Sequence, residues 1–185
     1  MLSFEEVYKI ASERLSEYRL YHSECVMERA IEYAQIYGAN VEKARIAGII
    51  HDIAKEVPKD EILSVCEKYN VILDEIEITN KSLIHGKLGA KIAELDFGYD
   101  AEICNSIKYH TTGRANMSLL EKIIFLADCT GKDRDYEGAK RIHDLAIEDL
   151  DKALIYYYKE FLKKRLSQEE IIHPDAINAY NYLIK

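Results

Sequence analysis

The chain has 185 residues, 48% of them hydrophobic, and a formal net charge of −8. That length suits one hydrophobic core, and the composition is that of an ordered globular domain. The excess of acids, 33 against 25 bases, speaks against a nucleic-acid duplex or an anionic membrane surface as partner.

Ser3 and Glu6 form a capping-box pattern that opens a helix through about Tyr18. Val26, Ala30, Tyr33 and Tyr37 carry the helical period onward, and Gly38 is placed to end it. Asn40 is a cap for the next helix, which contains the run IAGIIHDIAK and stops before Pro58. Lys59 to Tyr69 reads as a further helix. The stretch VILDEIEITN at 71–80 is ambiguous, its β-branched residues allowing a short, isolated strand. Helices are expected near 86–95, 99–111, 118–129 and 136–166, with Pro174 in the first turn of a last one. Neither a repeat nor a linker interrupts the pattern. The expectation is an all-α, single-domain helical bundle over 1–185.

No run approaches the ~18 apolar residues of a membrane span, and the N-terminus lacks the basic and apolar regions of a secretory signal. Four cysteines, at 25, 66, 104 and 129, have no short pair spacing and fit reduced thiols in a cytoplasmic protein.

Polar ligands fall inside the apolar patterns. His22 shares a helix face with Val26, Ala30 and Tyr33. His110 follows Ile103 and Ile107, and Asp128 follows Leu120 and Ile124, at the same kind of spacing. His51 and Asp52 lie within a segment apolar nearly all round. A buried, unpaired carboxylate costs several kcal/mol, so such groups are paired or bound to metal. Together with His85, these residues predict a metal site, and imidazole with carboxylate suits iron, manganese, cobalt, nickel or zinc better than magnesium or calcium. His143 and His173 are not assigned as ligands.

The order His22, His51-Asp52, Asp128 resembles the signature of the HD-domain phosphohydrolases, and the intervening His85 and His110 match its dinuclear variant. HDIAKEVP at 51–58, IHG at 84–86, YHTTGR at 109–114, LLEKIIFLAD at 119–128 and IHPDAINAYN at 172–181 are similar to the YqeK-type branch, bacterial symmetrical diadenosine tetraphosphate hydrolases. The resemblance implies an HD core over about 18–130, completed by helices over about 136–185. It also implies two ions, iron before manganese, cobalt or nickel. His22, His51, Asp52 and Asp128 would hold one, and Asp52, His85 and His110 the other. Cys129 to Asp133 departs from the Ile-Glu-Pro-like stretch common in that branch.

On this reading, hydroxide held at the metal pair attacks one of the two central phosphorus atoms of the dinucleotide. Asp52, Lys55, His85, His110 and Arg114 form the expected catalytic group. Substrate contacts are expected from Lys55, Tyr109, His110, Thr111, Gly113, Arg114, Arg134 and the His173-Pro174-Asp175 segment. A homodimer contact could involve the IYYYKEFL run. The competing readings are a phosphohydrolase of another nucleotide, a diiron oxygenase and a catalytically idle sensor.

Overall fold

Ser3 accepts a bond from the Glu6 amide and Glu6 accepts one from the Ser3 amide, so the first helix, α1, begins at Phe4. It ends at Arg14, short of the expected Tyr18. The cause lies in the residue that follows: Ser16 donates its amide and its hydroxyl to Glu56, at 2.6 and 2.7 Å. That clamp turns the chain, and Ser16 then caps α2, Glu17–Tyr37. In this computed structural model, which describes residues 1–185, nine further α-helices follow: α3 Val41–Ile50, α4 Ile62–Lys68, α5 Glu75–Thr79, α6 Ile84–Leu95, α7 Ala101–Lys108, α8 Leu119–Thr130, α9 Glu137–Glu148, α10 Leu150–Ser167 and α11 Pro174–Leu183.

Three other expectations are corrected. Regular helix stops at Ile50, and residues 51–56 continue in tighter turns, with Ile53 and Lys55 donating to the carbonyls three residues back. VILDEIEITN contains no strand; Asp74 and Glu77 make a capping box that opens α5 instead. The region 136–166 is two helices, because Asp149 is extended at φ −163° and accepts from the Asp151 and Lys152 amides, starting α10 afresh.

A cluster of 40 buried hydrophobic residues runs from Val7 in α1 to Ala179 in α11, so the first and last helices share one core. Helix α8 lies at its centre. Leu120, Ile123, Ile124, Phe125, Leu126 and Ala127 bury its whole circumference, with α2, α3, α7, α9 and α10 packed around it. Helix α3 rides close on α2 at Gly48, where a Cβ would stand 2.6 Å from the Met27 Cα. This crossing brings the His51 ring within 5.3 Å of the His22 ring. No helix is long and apolar enough to cross a membrane.

Candidate metal centre

Four histidines converge where α2, the end of α3, the start of α6 and the end of α7 meet the C-terminus of α8. His22, His51, His85 and His110 are each no more than 2% exposed. Three find a main-chain carbonyl three residues back as a partner for Nδ1. His51 Nδ1 donates to the Gly48 carbonyl at 2.8 Å, His85 Nδ1 to Ser82 at 2.7 Å and His110 Nδ1 to Ile107 at 2.7 Å. Each bond spans three residues and commits the proton to Nδ1, leaving Nε2 as a lone pair aimed inward. His22 Nδ1 meets Asp133 Oδ2 at 2.8 Å, and its Nε2 meets Asp128 Oδ1 at 3.0 Å.

Two carboxylates complete the group. Asp52 Oδ1 is 3.1 Å from His85 Nε2 and 3.6 Å from His110 Nε2, while Oδ2 accepts from Arg19 Nη1 at 2.9 Å. Asp52 follows the C-terminal end of α3, and Asp128 lies in the last turn of α8. Helix C-termini carry partial negative charge, so each carboxylate sits where its own helix opposes it. The Arg19 guanidinium offsets part of this, and Arg134 Nη2 stands 3.3 Å from Asp128 Oδ1.

The protonation states agree. Burial pushes the His51 pKa down to about 4 and lowers that of His85, so both rings are neutral donors near pH 7. Burial opposes ionisation of Asp52 and Asp128, but positive charge beside them outweighs it and holds both carboxyls below the usual range: the Arg19 guanidinium meets Asp52 Oδ2 and His22 meets Asp128 Oδ1. His22 is also buried, yet its bond to Asp128 raises it above an ordinary histidine. A metal ion held by His22 would replace the proton on Nε2.

His51 Nε2 and Asp52 Oδ1 are buried without a hydrogen-bond partner. Such atoms are rare in proteins unless an ion or water satisfies them. Donor atoms of His22, His51 and Asp128 lie within 4.8 Å of one another, as do those of His51, Asp52 and His110. The donor set therefore fits transition metal. A third group, Asp74, Glu77 and His173, already holds a cation: Lys87 Nζ is 2.6 Å from Glu77 Oε2 and 3.8 Å from Asp74 Oδ2.

The HD domain family model matches residues 19–133, which span His22, His51, Asp52, His85, His110 and Asp128. The chain belongs to the HD domain family. It is 35% identical over 184 residues to the symmetrical bis(5'-nucleosyl)-tetraphosphatase of Bacillus subtilis (strain 168), with 97% of each chain covered. A protein of the same description from Halalkalibacterium halodurans is 36% identical over 177 residues, 95% of this chain and 94% of that one. A crystal structure from Clostridium acetobutylicum, described as a predicted HD superfamily hydrolase involved in NAD metabolism, matches with a TM-score of 0.94 and 39% identity. That match covers 100% of this chain and 98% of the other.

Around the HD centre the expected substrate residues do not share one cavity: Arg134 lines one of about 330 Å³ with Thr130 and His143, and most of the others divide between two more. Lys55, His85, His110, Thr111, Asp128 and His173 line one of about 240 Å³. Lys55 Nζ is 3.1 Å from His85 Nε2, and burial lowers its pKa. Tyr109, Arg114 and Asp175 line a separate cavity of about 680 Å³ beside the C-terminus. Arg114 is not a free phosphate clamp. Its Nε and Nη2 donate to the two oxygens of buried Glu121, at 2.8 and 2.7 Å, and its guanidinium lies 5.0 Å over the Tyr109 ring. The Gly113 amide is also committed, donating to the Tyr109 carbonyl at 2.8 Å, so it offers nothing to an anion. Pro174 opens α11 as its first residue. His143 lies apart, bonded to Tyr33 and Arg29.

Sequence reasoning missed Arg19, Asp133 and Glu121. Arg19 lies three residues before His22, on the same turn-to-turn ridge, and could have been found by that spacing. Asp133 and Glu121 lie in a loop and in a buried helix, where nothing in the pattern separates them from solvated acids.

Proposed function

We infer that this HD-domain protein is a symmetrical bis(5'-nucleosyl)-tetraphosphatase that hydrolyses diadenosine tetraphosphate to two ADP. The observation that carries the reading is the inward convergence of four imidazoles and two carboxylates, in a chain related over almost its whole length to proteins of that description. His22, His51, Asp52 and Asp128 hold one metal ion, and Asp52, His85 and His110 hold the other. Iron is the metal of this reading, supported by a mixed imidazole and carboxylate donor set that suits borderline ions. When bound, the pair supplies a low-pKa water and neutralises phosphoryl oxygens.

The chain's own residues supply the rest. Asp52 stays ionised through the working pH range, so it anchors and does not shuttle protons. Lys55 reaches the cleft beside His85 and neutralises charge on the departing phosphate, with the Thr111 hydroxyl at the same wall. Arg134, fixed beside Asp128, contributes a second positive charge. His173 and Ile171 bring the C-terminal segment over the cleft, and the aromatic rings of Tyr157 and Phe161 line its far side as a surface for a base. Water adds to one of the two central phosphorus atoms, and the bridging oxygen between them leaves with the other half. Because the tetraphosphate is symmetrical, attack at either atom yields the same two ADP molecules. The chain's four free cysteines support a cytoplasmic location.

The test is product analysis. The metal-loaded protein is incubated with diadenosine tetraphosphate and the nucleotides are separated, with His110→Ala run alongside and bound metal quantified. ADP as the sole nucleotide product, lost in the variant, is expected. AMP with ATP would overturn the cleavage position, and absence of bound metal would overturn the centre.

A further inference from the structure

The loop after α8 holds a carboxylate that the ligand pattern does not include. Asp133 Oδ2 lies 2.8 Å from His22 Nδ1, and its side chain is 9% exposed. His51, His85 and His110 stand at helix ends and give their Nδ1 protons to carbonyls three residues back. His22 cannot do so. It is inside the 21-residue helix α2, where the nearby carbonyls are already taken by helical bonds. Its orienting acceptor has to come from another part of the chain.

Gly131 makes room for that acceptor. Its backbone, φ −51° and ψ 152°, is one that any residue adopts, so the turn itself does not require glycine. Yet a Cβ there would lie 2.6 Å from Asp133 Oδ1, while the next atoms, Cys25 Cβ and the Ala127 carbonyl oxygen, are at ordinary distances of 3.5 and 3.6 Å. The Arg134 amide closes the turn by donating to the Gly131 carbonyl at 2.8 Å. A side chain is thus absent at the one place where it would displace the Asp133 carboxylate.

We propose that Asp133 is the positioning residue of the centre. It holds the His22 proton on Nδ1 and turns the Nε2 lone pair toward the metal, and Gly131 acts only by leaving space for it. A carboxylate acceptor also makes the imidazole a stronger donor than a carbonyl would. This rests on the reading of His22 as a ligand, so the test carries a control for that reading.

The experiment is a cobalt titration of the full-length protein against a competing chelator, recording stoichiometry and the visible cobalt bands. His22→Ala, Asp133→Ala, Asp133→Asn, Gly131→Ala and the Gly131→Ala/Asp133→Ala double variant are compared. Asp133→Ala should weaken one of the two cobalt equivalents by about 10- to 100-fold and alter its bands. The melting temperature of its metal-free form should fall, because buried His22 loses a hydrogen-bond partner, but by less than that of the cobalt-loaded form. Asp133→Asn, which has the same shape and keeps an uncharged acceptor, should fall between. Gly131→Ala should weaken the same equivalent on its own and add nothing to Asp133→Ala. Wild-type affinity for both equivalents in Asp133→Ala, with one lost in His22→Ala, would overturn the positioning role and leave the ligand reading intact. Full additivity of the Gly131 and Asp133 losses would also overturn it. Two wild-type equivalents in His22→Ala would remove the ligand reading itself, and this proposal with it.

Discussion

His85 and His110 meet Nε2 to Nε2 at 3.0 Å, although each ring has already committed its proton to a main-chain carbonyl through Nδ1. Two lone pairs at that distance repel each other unless a cation or a proton lies between them or beside them. Lys55 Nζ, 3.1 Å from His85 Nε2, relieves part of this. Metal removal should therefore destabilise the fold as well as stop catalysis. Binding to the native state alone adds about 2.7 kcal/mol at 100 times Kd. Thermal melts of chelated and reloaded protein should differ by several degrees; equal melting temperatures would mean that the centre contributes nothing to folding.

The His51 imidazole, with no exposed surface, should remain neutral in metal-free protein down to about pH 4, because burial disfavours the imidazolium. Its folded pKa lies below the unfolded value of about 6.5, so the unfolded chain takes up the proton first as pH falls. The stability attached to this ring is whole above about pH 6.5, shrinks as pH drops toward 4, and changes no further below that. The full span is on the order of 3 kcal/mol, and His22, whose pKa is raised, acts in the opposite sense. Ring-proton chemical shifts of His51 check the assignment directly. A midpoint near 6.5 would show that water reaches the ring.

Arg114 is bound to Glu121 through two parallel hydrogen bonds, and Glu121 is 2% exposed. Arg114→Ala leaves that carboxylate buried without its partner. Allowing for the partial exposure of the arginine, the loss should be about 2–3 kcal/mol. Arg114→Lys should rescue little, since an ammonium cannot reproduce the paired geometry. In a cycle with Glu121→Gln the two effects should be strongly non-additive. An Arg114→Ala protein with unchanged melting temperature and a raised KM would instead mark a phosphate contact.

Much of the centre was legible because burial of polar residues in an apolar pattern has few explanations. His22, His110 and Asp128 could be placed on inward faces from spacing alone, and all six expected donors do converge. The helix ends were less legible. Glu56 ends α1 from forty residues away in sequence, a tertiary bond with no local signature. Asp149 splits the long C-terminal pattern because one short acid captures two amides, although the hydrophobic period runs on past it. The substrate residues divide for a similar reason. Arg114 reads as a loop cation until the buried partner, seven residues later in a helix, is located in space.

Gly113 has a structural role that can be separated from substrate binding. Its φ of +66° is the left-handed region, and a Cβ would stand 1.9 Å from the Tyr158 hydroxyl, which donates to the Thr112 carbonyl. Gly113→Ala thus carries two penalties: about 1–2 kcal/mol for the backbone and about 1–3 kcal/mol for the overlap. Removing the hydroxyl with Tyr158→Phe should relieve the second and leave the first. The double variant is expected to be more stable than the sum of the two singles predicts, in denaturant melts of metal-loaded protein. Were Gly113 a phosphate contact, Gly113→Ala would raise KM at constant stability and Tyr158→Phe would not repair it.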